Sequence, residues 1–279
     1  MSSSNPVPNE GTSFLARHSV FVYFGLTFTI SWLGAFAVAS PHLLRHEPLP
    51  QLTGILMFPA MLLGPSIAGV ALTRIVDGKA GLRDLGSRLI RGNVGTRWYA
   101  PLLIPPALIF VVLFCLKTFV SPVYAPNFFL IGFLFGIPAG FLEEIGWMGF
   151  AFPKMRSPQN ALAPAILLGL LWGTWHLPVI NHLGTATPHG RYWFPFFLAF
   201  TAAMTAMRVL ICWIYTNTKS VLLAQFMHVS STSSLVILSA PRASAPQEVM
   251  WYGIYALALW LVVAFVVAKF SKRLTQQRI

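Results

Sequence analysis

The sequence predicts an all-α protein: a polytopic membrane helix bundle with about eight transmembrane helices. Three observations predict it. Of the 279 residues, 56% are hydrophobic and only 9% are charged, too little charge for the surface of a soluble domain of this size. Mean hydropathy is +0.69. Apolar runs repeatedly approach the roughly 20 residues a helix needs to cross a bilayer.

Along the chain, residues 1–18, "MSSSNPVPNEGTSFLARH", are polar and lack the apolar core of a cleavable signal peptide. They read as a short disordered cytoplasmic tail. A single transmembrane domain follows over 19–270. The spans are predicted at 19–40, 52–76, 98–120, 128–152, 161–181, 194–215, 220–240 and 249–270. Pro, Gly and charge clusters punctuate them. "SPHLLRHEPLPQ" closes the first span and "DGKAGLRDLGSRLIRGNVGTR" the second. "SPVYAPN", "PKMRSPQN", "NHLGTATPHGRY", "TNTKS" and "SAPRASAPQE" separate the rest. Residues 271–279 form a basic tail. Within 77–97, Leu82, Leu85, Leu89 and Ile90 lie on one side and Arg83, Arg88 and Arg91 on the other. That pattern suits a helix lying on anionic headgroups.

The net charge of +12 would suggest nucleic acid in a soluble protein. Here its distribution follows membrane sidedness instead, and no nucleic-acid partner is expected. With both termini in the cytoplasm, the cytoplasmic segments hold Arg17, Arg74, Lys79, Arg83, Arg88, Arg91, Arg97, Lys154, Arg156, Lys219, Lys269, Lys272, Arg273 and Arg278. The other side holds Arg45, Arg191 and Arg242. Fourteen against three is the bias that the positive-inside rule produces. It implies a multi-pass protein of the cell membrane. Lys117 and Arg208 remain inside spans. Cys115 and Cys212 sit in apolar runs and read as small buried hydrophobes.

The chemistry narrows to few residues. Of seven acidic side chains, Glu10, Glu47, Asp77, Asp84 and Glu248 fall in predicted tails or loops. Glu143 and Glu144, in "AGFLEEIGWMGFAF", lie inside a span, where carboxylates are costly and mark function. Neighbours on a helix point about 100° apart, so the two are expected to take different roles. Of the histidines, His176 in "LLWGTWHLPVI" and His228 in "LLAQFMHVSST" lie within spans. Counting about 1.5 Å per residue from the basic end, Glu143 and His228 both come out about 14 Å deep. His176 comes out about 18 Å deep if its helix starts at Pro164. The three could share a pocket near mid-membrane, read as opening toward the cytoplasm.

A carboxylate in a dry pocket can serve as general base to a water. Glu143, His176 and His228 could equally hold a zinc ion and acidify its water. Either route generates hydroxide and hydrolysis. His228 and Thr232 lie one turn apart on one face, placed to hold an oxyanion. There is no H-E-x-x-H motif, and both aspartates lie in a loop, which excludes an aspartyl dyad in the membrane. "GPSIAG" at 64–69 reads as a small-residue packing face, as do Gly146 and Gly149. Trp172 and Trp175 read as packing residues.

At these residues the sequence resembles the CPBP family of intramembrane proteases, also called Abi. The family includes CAAX prenyl endopeptidases and bacteriocin-processing or immunity proteins. Its motifs E-E-x-x-x-R, aromatic-x-x-x-H and H-x-x-x-N correspond here to "EEIGWM" at 143–148, "WGTWH" at 172–176 and "HVSST" at 228–232. The resemblance covers about residues 50–240. It implies a metalloendopeptidase-like enzyme in which Glu143 and His176 activate water. His228 and Thr232 would stabilise the oxyanion, and Glu144 would assist or be structural. It leaves open zinc and a metal-free glutamate mechanism. The implied substrate is a membrane-anchored protein or a hydrophobic peptide.

Two departures stand out. Met148 replaces the motif arginine and Thr232 the final asparagine. Met148 favours a rival reading, a non-catalytic immunity or scaffold protein binding a peptide or partner in the same pocket. A proton-coupled transporter is a third reading, without the paired broken spans that support one. Arg208 lies near the depth of Glu143 and could replace the lost arginine. The default for such a residue is to snorkel to the cytoplasmic surface.

Overall fold

A computed structural model describes residues 10–275. Helices dominate and no strand occurs among the described residues. Helix α1 is Glu10–Leu44, α2 is Gln51–Met61, α3 is Leu63–Val76 and α4 is Gly78–Leu89. Then come α5 (Ile104–Phe119), α6 (Gly132–Gly146), α7 (Phe152–Met155), α8 (Leu162–Trp175), α9 (Trp193–Thr218), α10 (Val221–Ile237) and α11 (Ala245–Phe270). Each predicted span coincides with one of these helices or with a continuous pair. Five stretches are long and apolar enough to cross a membrane: Phe14–Leu44, Gln51–Leu89, Thr96–Phe119, Gly190–Thr218 and Ala245–Phe270. Helices α8 and α10 are shorter but apolar.

The ends differ from expectation. Residues 10–18 are helical rather than a disordered tail, and the non-helical backbone of His18 (φ −108°, ψ 15°) marks where the tail was expected to meet the span. Residues 1–9 and 276–279 lie outside the described residues. Past α11, the backbone folds back onto the bundle. The Lys272 carbonyl accepts from the amides of Ala161 and Leu162, and Leu274 is buried.

Small residues set the helix spacing. The "GPSIAG" stretch buries Gly64, Pro65, Ala68 and Gly69 in α3, which packs on α1 and α6. A Cβ on Gly69 would come within 2.8 Å of the Gly146 Cα, so two backbones meet there with no room for a side chain. Gly149 plays the same part for α4: its missing Cβ leaves space for Leu85, the buried residue of α4. Ile90, on the same apolar side, is 80% exposed. Gly146→Val is expected to destabilise the fold by about 3 kcal/mol or more, since overpacking here meets the Pro65 backbone and the Tyr23 hydroxyl. A lowered melting temperature in detergent would show it.

The bundle has two distinct ends. At one, Lys154 pairs with Asp77 at 2.9 Å, Arg88 donates to the Gly149 carbonyl and to Tyr215, and the Ser220 hydroxyl donates to the Arg91 carbonyl. This is the basic end. At the other, the amides of Asn127 and Phe129 donate to the carbonyls of Ser239 and Ile237, and Tyr124 donates to the Gln247 carbonyl.

Candidate active site

The helix carrying the two glutamates changes pitch just beyond them. Residues Trp147–Ala151 form a π-helical turn between α6 and α7, a feature that recurs at functional sites. Both Glu143 and Glu144 are fully buried, and they face different partners, as their angular separation requires.

Glu143 is held by tryptophans. Its Oε2 accepts from the Trp172 indole at 2.7 Å and from the Trp147 indole at 3.1 Å. Its Oε1 has no hydrogen-bond partner among the described residues. Two indoles thus fix the carboxylate by one oxygen and leave the other uncommitted.

Glu144 is held by charge. Arg208 Nη1 reaches its two oxygens at 2.7 and 2.8 Å, and His228 Nδ1 meets Oε1 at 2.7 Å. Arg208 is fully buried, and its guanidinium lies 4.1 Å from the centre of the Trp172 ring. Of the two readings of Arg208, pairing with a glutamate or snorkelling to the surface, the structure shows the pairing, with Glu144. A carboxylate and an aromatic face within the bundle hold it better than the longer reach to water would. Met148, the residue in the motif arginine's position, is buried in the core.

Helix α8 brings in the first histidine at its C-terminal end. It begins at Leu162, two residues before the start used to estimate depth, and His176 still reaches the common cavity. His176 Nδ1 lies 2.8 Å from the Trp172 carbonyl. A carbonyl only accepts, so Nδ1 carries the proton and Nε2 keeps its lone pair. Phe58 stacks on the ring, and Trp172, Trp175 and Phe200 pack edge-on to it. Trp172 is more than packing. It donates to Glu143, touches both histidines and carries Arg208 on its face.

These groups converge on one cavity of about 170 Å³. Glu143, Trp172, His176, His228 and Thr232 line its inner part, and Gly184, Thr185, Ser239, Ala240 and Glu248 its outer part. An adjoining cavity of about 220 Å³ runs between α2, α6 and α10, sharing Phe58, Leu183, Gly184, Thr232 and Val236. His182 lines it, and burial pushes its imidazole below the ordinary value.

The expected opening toward the cytoplasm is not observed together with the expected orientation. The cavity reaches the end formed by residues 183–185 and 239–248, opposite the basic end. Met148, Phe150, Phe152, Cys212 and Tyr215, farther along α6–α7 and α9 toward the basic end, are all buried, and none of them lines the cavity.

Glu248 is the residue that sequence reasoning missed. Assigned to a loop, it is fully buried in the first turn of α11. It accepts from the Thr185 amide and hydroxyl, from the Ala186 amide at 2.7 Å and from His189 Nε2 at 3.0 Å. One carboxylate therefore pins residues 185–189 at the cavity's outer rim. The available signal was the Ser244…Gln247 capping box with Pro246 behind it, which starts the helix before Glu248. Glu248→Ala is expected to speed amide exchange at Thr185 and Ala186 at least about tenfold, since hydrogen bonds to charged groups contribute about 1.5–3 kcal/mol. Exchange within α10 should stay unchanged.

No three His, Cys, Asp or Glu side chains among the described residues are grouped so that they could share a metal ion. Glu143, His176 and His228 line one cavity without forming such a group, so the predicted zinc set does not fit this arrangement and no step below is routed through a metal.

Residues 125–234 match the family described as Type II CAAX prenyl endopeptidase Rce1-like. The central segment is similar to that family. A CAAX prenyl protease 2 from Methanococcus maripaludis is 31% identical over 109 residues, which is 38% of this chain and 39% of that protein. The match therefore spans about two fifths of the relative's length. The Rce1-like segment contains both glutamates, Trp172, His176, Arg208, His228 and Thr232, and ends before Glu248.

Proposed function

We propose that this multi-pass membrane protein is an intramembrane endopeptidase that hydrolyses a peptide bond with a water activated by Glu143 and His176. The observation that carries the reading is the state of Glu143: one oxygen held by two indoles, the other uncommitted, in a cavity that also receives the His176 ring. The Rce1-like segment supports the same class of reaction.

In this reading, a water between Glu143 Oε1 and His176 Nε2 loses a proton as its oxygen attacks the substrate carbonyl carbon. The carbonyl oxygen becomes an oxyanion held by His228 and the Thr232 hydroxyl. For His228 to donate through Nε2 while Nδ1 faces Glu144, the ring must carry both protons. The captured proton then passes from Glu143 to the amide nitrogen. The C–N bond breaks, leaving a new carboxylate and a new amine. Glu144 and Arg208 are positioning residues, since they touch His228 and Trp172 rather than the cavity. The substrate is a membrane-anchored protein tail or a small hydrophobic peptide.

The ground for a non-catalytic immunity or scaffold protein was the lost motif arginine. Arg208 supplies a guanidinium to Glu144 from α9, which supports the catalytic reading over that rival. The test is terminal-peptide mass spectrometry on membranes from a deletion strain carrying either wild type or Glu143→Gln at equal abundance. New termini seen only with wild type are expected. Identical termini would return the argument to the non-catalytic reading.

A further inference from the structure

We infer that the cavity opens to the non-cytoplasmic face and takes its substrate there; the inference of an opening rests on geometry and charge, and the word substrate rests on the endopeptidase reading above. The structure gathers onto one end of the bundle the segments holding Arg74, Lys79, Arg83, Arg88, Arg91, Arg97, Lys154, Arg156, Lys219, Lys269, Lys272 and Arg273. The contacts at 77–97, 149–154, 215–220 and 272–274 tie these segments together. Arg45, Arg191 and Arg242 belong to segments at the other end. Short basic segments stay in the cytoplasm during insertion, which fixes which end faces out.

The catalytic cavity belongs to the poorly charged end. From Glu143 and His228 it climbs along one face of α10, through Thr232, Leu235, Val236 and Ser239, to residues 183–185 and Glu248. α6 contributes Glu143 near its inner end, while α9 and α11 line the cavity with their halves nearest the poorly charged end, through Phe200, Met204, Trp251 and Tyr252, and His176 follows the end of α8 there. Gly184 at the rim is exposed and Ser239 half-exposed. A separate surface pocket at the basic end is lined by Asp77, Arg88, Lys154 and Lys219 and includes none of the catalytic candidates. The peptide bond presented to Glu143 therefore comes from the translocated side: an exported peptide, or the outward part of a membrane-anchored chain.

Single cysteines read the sidedness without reference to activity. In the full chain with Cys115→Ser and the buried Cys212 retained, Arg242→Cys reports the cavity end, Ser239→Cys the cavity rim, and Ser87→Cys the basic end. Intact cells are treated with a sulfonated, membrane-impermeant maleimide before and after permeabilisation. Labelling of Arg242→Cys and Ser239→Cys in intact cells, with Ser87→Cys labelled only after permeabilisation, is the expected result. The reversed pattern overturns the inference and places the cavity in the cytoplasm against the charge bias. Labelling of Arg242→Cys without Ser239→Cys in any condition overturns the opening itself. None of these outcomes depends on proteolysis, so a failed endopeptidase reading shows separately, as unchanged termini with Glu143→Gln.

Discussion

Glu143→Gln is expected to reduce cleavage about 10³-fold or more through kcat, with KM nearly unchanged and the fold intact. The amide oxygen of glutamine can still accept from Trp147 and Trp172, as Oε2 does now. The hydrogen-bond framework thus survives the exchange. What is lost is the uncommitted oxygen, because an NH₂ group donates and takes no proton from water. A general base typically contributes 10²–10⁴-fold, or about 3–5 kcal/mol. Single-turnover rates on a cleaved substrate, with a thermal melt as control, test this. A large rise in KM with kcat retained would mean that Glu143 binds substrate rather than activating water.

Arg208→Met carries the second large effect, and it falls on stability. Removing the guanidinium leaves the Glu144 carboxylate buried with only His228 beside it. Breaking a buried ion pair from one side costs about 3–5 kcal/mol. Arg208→Lys should recover part of that, since an ammonium can still donate to the carboxylate as Nη1 does but cannot lay a guanidinium plane against the Trp172 face. The informative variant is Arg208→Met with Met148→Arg, which returns the arginine to the motif position one turn beyond Glu144. Recovery of most of the lost melting temperature, and of cleavage, is expected. If the double variant is no more stable than Arg208→Met, the two arginine positions are not interchangeable.

The fold and the inner site were legible for the same reason. A carboxylate or histidine stands out against an apolar run, because burial in lipid demands an explanation that burial in a soluble core does not. Glu143, Glu144, His176 and His228 were found that way, and helix rise placed them at compatible depths. Partners were less legible. Arg208 was visible as a buried cation, but the choice between Glu144 and the surface turns on the space beside Trp172, which no spacing reports. Glu248 and His189 lie 59 residues apart in segments whose polarity reads as loop, so their burial depends on how α11 seats against residues 183–189. That the cavity runs toward residues 183–185 and 239–248 is not legible in the sequence, because depth along a helix locates a residue without saying which way its neighbours leave room.

The π-helical turn at Trp147–Ala151 acts as a phase shift. A single extra residue rotates everything beyond it by about 100° relative to an unbroken helix. Upstream, the glutamates meet their indoles and their guanidinium. Downstream, Gly149 offers its carbonyl to Arg88 and Phe152 meets the Tyr215 ring edge-on. Neither set of contacts can be satisfied in the other's register. The reactive half of this helix and its anchoring half are therefore tuned independently. A one-residue deletion between them would leave every catalytic side chain in the sequence and force the helix to choose which half to seat.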